Sequence, residues 1–343
     1  MLLVPASLAS LAMGDTPLSY SQVVQALNDS TDSTDSFEAF IVQELRLPRL
    51  VTGLLAGAAL GMAGALVQAI TRNPLGTPDL MGVSAGASFA IVLGFVLLGL
   101  SPASLLALGT LGGFIAGLLT FAIAWKTHLN PIHLTLSGMS IALFFTAGIT
   151  ILLISADADA NGIYYWLAGS LMNRTWQHVE QLYPFVGIGL ILGILFSRPL
   201  NLLMLDDITS RSLGLPVQRW RLLLGFTAVV LTAATVAVAG PISFIGLVAP
   251  HIVKLALKLK SLPDQTMQPE AQALKPIQPH KQTQDHKQTL DHKIILPLSA
   301  LTGATLVCLA DWGAKFQEVP VGILCILLGG PLFVYLIRKQ DAL

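Results

Sequence analysis

Three stretches of this chain, residues 58–70, 89–100 and 187–196, carry no ionisable side chain at all. Set within longer apolar segments, such runs suit the core of a bilayer, where a charge is costly and each backbone polar group must be satisfied inside its own helix. Composition agrees: the 343 residues are 54% hydrophobic and 11% charged, with a mean hydropathy of +0.72, far from a soluble globular domain. The expected fold class is therefore all-α, a polytopic membrane protein.

With Gly, Pro and charge as punctuation, hydropathy gives ten spans, at 2–14, 46–70, 80–99, 103–125, 133–155, 179–197, 221–239, 242–258, 294–312 and 320–337. The first is too short to cross as a helix, since a core of about 30 Å needs about twenty residues. It is read as an incomplete or truncated span rather than a cleavable leader, because no charged segment precedes it. Pro74 and Pro78 precede the third span, and Pro241 and Pro250 bracket or interrupt the eighth. Broken helices of this kind usually line a protein-enclosed cavity. Placing the start of the chain in the cytoplasm leaves fifteen of the nineteen Lys and Arg residues inside and only Arg46, Arg49, Arg174 and Lys315 outside, as the positive-inside tendency requires.

Residues 259–293 differ from the rest: they are polar, with the near-repeat HKQTQDHKQTLDHK, and read as a disordered cytoplasmic loop inserted in one permease-like domain spanning 1–343. His280, His286 and His292 recur every six residues. A six-residue step turns a helix by about 600°, so the rings would diverge, and no metal site is expected there. Cys308 and Cys325 lie in apolar stretches and read as small hydrophobes.

No phosphate-cradling GxxxxGK[ST] occurs, and no grouped carboxylates or histidines suggest hydrolytic or redox chemistry. Intramembrane charge is almost confined to Asp311, near one end of the ninth span. An ion-coupled carrier normally holds ionisable groups at mid-bilayer. A secondary carrier and an intramembrane enzyme remain the alternatives, but the pattern points to a transporter fuelled by another subunit. Net charge is zero, so nothing advertises nucleic acid.

In the second span Gly53, Gly57, Gly61 and Gly64 recur at three- and four-residue spacing, which lets helix backbones approach closely. The next stretch, NPLGTPDLMGVSAGAS (73–88), is a polar, Pro-broken entry to the third span that packing alone does not require. The block from Arg46 to Ser88 resembles the iron-siderophore, haem and cobalamin permeases of the FecCD type. Three more blocks resemble that family in the same order: RPLNLLMLDDITSRSLGLPVQRWR (198–221), GPISFIGLVAPHIVKLAL (240–257) and EVPVGILCILLGGPLFVYLIRK (318–339).

The resemblance implies a permease of the type II ABC importer kind, with ten helices per subunit, in the cell (inner) membrane. It implies a second permease subunit, self or similar and here expected as a homodimer. Two cytoplasmic ATPase subunits and an external solute-binding protein would complete the complex, surrounded by membrane lipid. The cargo would be a metal chelate, iron(III)-siderophore before haem or cobalamin, carried by alternating access. No cofactor, catalytic residue or metal ligand is expected in this chain.

In the family, basic residues at the outer rim meet carboxylates of the binding protein, and the matching positions are Arg46, Arg49 and Lys315. An arginine can hold a carboxylate in a bidentate fork, whereas Lys315 would be a point charge. Reversing Arg46 and Arg49 to Glu is expected to weaken docking and leave assembly intact. On the inner side residues 202–216 read as a short amphipathic helix, a turn at Gly214 and a Pro stop. Asp206, Asp207, Ser210, Arg211 and Gly214 are the expected ATPase-coupling surface. Asn73 with Pro74 reads as a helix stop, His251 as a packed or cytoplasm-facing polar residue, and 161–176 as an interfacial segment at the mouth.

Overall fold

The computed structural model describes residues 3–14, 16–28, 37–155, 161–261, 291–317 and 319–341, and all regular structure among them is helical. In order the helices are α1 (Leu3–Ala12), α2 (Tyr20–Asn28), α3 (Phe37–Thr71), α4 (Val83–Val96), α5 (Pro102–Trp125), α6 (Pro131–Ser155), α7 (Asn161–Leu167), α8 (Trp176–Leu195), α9 (Ser197–Leu203), α10 (Asp207–Ser212), α11 (Val217–Ala239), α12 (Ile245–Ser261), α13 (His292–Lys315) and α14 (Val321–Asp341). Six of them, α3, α5, α6, α8, α11 and α13, are long and apolar enough to cross a membrane, and α1, α4, α12 and α14 are shorter apolar helices. Each of the ten expected spans thus has its helix.

Two spans differ from expectation in instructive ways. The second does not begin at residue 46 but grows from Phe37, continuing through a π-helical stretch at Ile41–Arg46. Glu38, Gln43 and Glu44 end the hydropathy signal there although the backbone stays helical. The third splits: a 3-10 turn at Pro78–Met81 and a left-handed Gly82 (φ 73°) precede α4. At 14 residues, α4 is about 21 Å long and shorter than a bilayer core.

The break before α4 follows from local chemistry. Arg72 ends α3 in the left-handed region (φ 50°), and the Asn73 side-chain oxygen accepts from the Leu75 backbone N–H at 2.9 Å, as the expected helix stop implies. A second break separates α11 from α12, where Gly240 (φ 71°) and Phe244 (φ 70°) both lie in the left-handed region.

α3 is the central post. It packs against α13, α11, α12 and α8, and 78% of its most apolar window is buried against 11% for α6. α3 can be surrounded because its glycines remove the side chains between backbones. Gly57 and Gly61 face Gly303 and Ser299 of α13, and Gly64 faces Gly246 of α12. Gly53 instead meets the Leu171 and Val307 side chains.

At the edge of the polar insertion the helices run further than expected: α12 continues through Ser261 and α13 starts at His292, so residues 259–261 and 292–293 are helical. Residues 262–290, with His280 and His286, lie outside the described residues. His292 is buried, and its Nδ1 lies 2.6 Å from Asn201 Oδ1, which fixes the start of α13 to α9. His251 is likewise buried, its ring edge-on to Phe333, and Cys308 and Cys325 are buried thiols.

Candidate docking rim and coupling knob

The three expected rim residues come together at one end of the bundle, and each is engaged within the chain. Arg46 is buried and donates from Nη1 to the carbonyls of Leu11 (2.7 Å) and Ala12 (3.1 Å), and from Nη2 to that of Thr16. The Leu11 and Ala12 carbonyls are in the last turn of α1, so Arg46 helps cap a helix that ends 34 residues upstream in sequence. Lys315 caps the same helix through Ser10, whose carbonyl and hydroxyl accept from Nζ at 2.6 and 2.9 Å. Arg49 forks onto Asp311, with Nη2 to Oδ1 at 2.8 Å and Nε to the same oxygen at 3.0 Å. The Asp311 side chain is 4% exposed and that of Arg49 20%, so the arginine is the member that solvent reaches.

All three basic residues line a cleft of about 520 Å³ together with Met13, Glu44 and Arg174. Arg174 hydrogen-bonds the Ser170 carbonyl at 3.2 Å. Burial lowers its pKa to about 10, which still leaves it cationic at neutral pH. The cleft is thus strongly basic, with Glu44 as its single acidic lining residue among the described residues.

This geometry revises the test that sequence suggested. Arg46→Glu or Arg49→Glu would place a carboxylate against helix-end carbonyls or against Asp311, and would damage the fold before any docking was measured. Exchanging the two would set an arginine against Lys315, whose Nζ lies 3.9 Å from Asp311 Oδ2, so the informative variant neutralises both, Arg49→Met with Asp311→Asn. That protein is expected to retain most of its thermal stability in detergent, whereas Arg49→Glu alone is expected to lose about 3 kcal/mol. Equal melting temperatures for the two variants would contradict the pairing.

At the opposite end the chain from α9 to α11 forms a knob. Asp206 is the N-cap of α10, accepting from the Thr209 N–H (2.8 Å) and hydroxyl (2.6 Å). The Thr209 hydroxyl and backbone hold its carboxyl below the usual range. The helix ends in a two-bond C-terminal motif: Leu215 N–H donates to the Ser210 carbonyl and Gly214 N–H to that of Arg211. Gly214, at φ 82°, supplies the left-handed residue this motif needs.

Asp207 turns inward. Its Oδ1 accepts from Arg72 Nη2 (2.6 Å) and Arg221 Nη2 (2.7 Å), and its Oδ2 from Arg221 Nη1 (3.0 Å). Burial alone would raise this carboxyl, but the hydrogen bonds and charge of Arg221, then Arg72, outweigh it and hold it below the ordinary value. Ser210 is fully buried and donates to the Leu202 carbonyl at 2.7 Å. The five expected coupling residues therefore divide. Asp206, Arg211 and Gly214 are exposed, while Asp207 and Ser210 hold the knob to the bundle.

The most prominent part of that surface is Ile208 and Leu213, 81% and 59% exposed, which are not among the five expected residues. Large aliphatic residues on an otherwise polar loop are a usable signal for a docking surface.

Between these two ends the long helices carry no charged residue in their middles. Residues 50–71 of α3 and all of α5 are free of Lys, Arg, Asp and Glu.

Residues 2–263 and 288–339 match the FecCD transport family. The chain is 37% identical over 334 residues to the Fe(3+)-citrate import system permease protein YfmD of Bacillus subtilis (strain 168), covering 96% of this chain and 90% of the relative. It is 34% identical to the Fe(3+) dicitrate transport system permease protein FecD of Escherichia coli (strain K12), covering 97% and 95%. The cobalamin import system permease protein BtuC of Halobacterium salinarum is 33% identical, covering 88% and 74%. A solved chain described as a metal-chelate type ABC transporter in an inward-facing conformation superposes with a TM-score of 0.81 at 28% identity, covering 98% of this chain and 96% of that one.

Proposed function

Because the chain belongs to the FecCD transport family, we propose that it is the permease subunit of an ATP-driven importer, with an iron(III) chelate of the siderophore or citrate type as cargo. Haem and cobalamin are the second choice. The observation that carries this reading is the placement of charge: ion-pair hubs close both ends of the bundle, and residues 50–71 of the central α3 and all of α5 hold no Lys, Arg, Asp or Glu. Two relatives that span at least 90% of their own length with this chain are named for iron citrate.

The parts then take roles. The chain is a multi-pass membrane protein, and we place it in the inner membrane. The basic cleft around Arg46, Arg49 and Lys315 receives carboxylates of an external binding protein, with Arg49 as the exposed contact and Arg46 and Lys315 as the residues that shape it. A second permease subunit, most simply another copy, packs on the bare face of α6, where Leu143, Phe144 and Ile154 are each at least 70% exposed. One of two ATPase subunits seats the α10 knob, its apolar tip at Ile208 and Leu213 ringed by Asp206, Arg211 and Gly214.

Uptake of radiolabelled iron(III) chelates by cells lacking this permease, with and without the restored gene, tests the cargo. Proteoliposomes test the fuel: uptake by this polypeptide alone under a proton or sodium gradient would overturn the reading. For the knob, Ile208→Asp with Leu213→Asp is expected to leave the melting temperature within a few degrees and to lower ATP-dependent uptake at least about tenfold, since hot-spot losses exceed about 2 kcal/mol. Undiminished uptake would remove α10 from the ATPase contact.

A further inference from the structure

A cavity of about 790 Å³ lies between α5, α8 and α11, walled by apolar side chains that include Leu106, Phe114, Phe185 and Val230. The helix faces around it look outward from the bundle, with Leu111 57%, Phe185 41% and Ile188 60% exposed, so in a membrane the crevice faces acyl chains.

Its polar lining is narrow: Thr110, whose hydroxyl already donates to the Leu106 carbonyl at 2.9 Å, and two residues of α8. Glu180 and Gln181 enter it from the first turns of α8, and the Gln181 Oε1 is buried without a hydrogen-bond partner. Both offer acceptors, and an unmatched buried acceptor calls for a donor. The depth is that of a headgroup: α8 starts at Trp176, whose indole N–H bonds the Gln43 carbonyl at the rim end, and Gln181 is only about 8 Å further along the axis.

An adjoining cavity of about 180 Å³ shares Leu106 and is lined by Arg174 and His178. The Arg174 Nε is buried without a partner, while its Nη1 lies 3.4 Å from His178 Nε2. His178 and Gln181, three residues apart, are neighbours on α8. One end of one helix thus presents a carboxylate and a free acceptor beside a guanidinium with a free donor, over an apolar slot.

We propose that this crevice is a binding site for a phosphatidylethanolamine lipid: an acyl chain fills the slot, the ammonium donates to Glu180 and Gln181 Oε1, and the phosphate accepts from Arg174. A phosphatidylglycerol would bring the phosphate, the chain and two neutral hydroxyl donors, but no cation to set against the Glu180 carboxylate, and charge-assisted hydrogen bonds are the stronger kind. The site lies on the face of the bundle formed by α5, α8 and α11 and is independent of which chelate is carried.

The test is native mass spectrometry of the purified full chain, exchanged into detergent with equimolar phosphatidylethanolamine and phosphatidylglycerol of the same acyl composition. The expected result is retention of one phosphatidylethanolamine with about a tenfold preference, the worth of one charge-assisted hydrogen bond. Glu180→Gln with Gln181→Leu is expected to level the two lipids without emptying the slot, and Ala107→Trp, which fills it, to release both. Equal retention of both lipids by the unaltered protein, retention of neither, or a preference that survives the double substitution would each overturn the proposal. The unaltered protein's comparison decides even if a variant does not fold.

Discussion

Replacing Gly64 by valine is expected to abolish recovery of a monodisperse protein from detergent extracts. A side chain at this position would sit within the van der Waals radius of the Gly246 carbonyl, on the backbone of α12. Backbone cannot rotate away as a side chain can, so the helices must separate. Separation exposes α3 on a face where it is otherwise buried from Ala59 through Thr71. The cost exceeds the ordinary range for overpacking, about 1–3 kcal/mol, and approaches the whole stability of a domain. Gly187 on α8 is the control, because nothing lies within 4 Å of a Cβ built there. Gly187→Ala is expected to raise the melting temperature slightly, through a gain in helix propensity of about 0.5–1 kcal/mol. Size-exclusion profiles and thermal melts of the two variants distinguish crowding from propensity, and a well-behaved Gly64→Val protein would contradict the close α3–α12 contact.

Asp207→Ala should be the most damaging change at the opposite end. It strips Arg221, whose side chain is 1% exposed, of its carboxylate, and leaves the Arg72 guanidinium only its contact to the Leu203 carbonyl at 2.9 Å. A buried cation left without its partner costs about 3–5 kcal/mol. The part-exposed Asp207 places the loss near the lower figure. Arg221→Met in the same chain removes the orphaned charge and is expected to recover much of the melting temperature. It should not recover transport, because α10 would still lack its tether to α11. Full recovery of transport by the double variant would show that the hub serves stability alone.

Hydropathy made the ten spans legible because lipid leaves few solutions for a chain with such charge-free runs. The helix stop at Asn73 and the left-handed Gly214 were equally readable, since each depends on its own side chain or on the lack of one. What escaped were contacts between distant residues. Arg49 and Asp311 stand 262 positions apart, and nothing local to RLPR says that its second arginine is already paired, or that its first closes α1. Asp207 was grouped with exposed coupling residues for the same reason, as its two arginine partners lie outside α10. Ile208 and Leu213 were missed differently: the family pattern drew attention to polar positions, although the aliphatic residues carried the stronger physical signal.

The capping of α1 sets an order of events during synthesis. That helix has ten residues and no basic residue of its own in its last turn, and three of its terminal carbonyls, those of Ser10, Leu11 and Ala12, accept from Lys315 and Arg46. The ribosome must therefore add some three hundred residues after α1 before its second cap exists. The bundle closes around α3 only when α13 arrives, and α1, which packs on α13 as well, gains its main helical neighbour and its second cap in the same step.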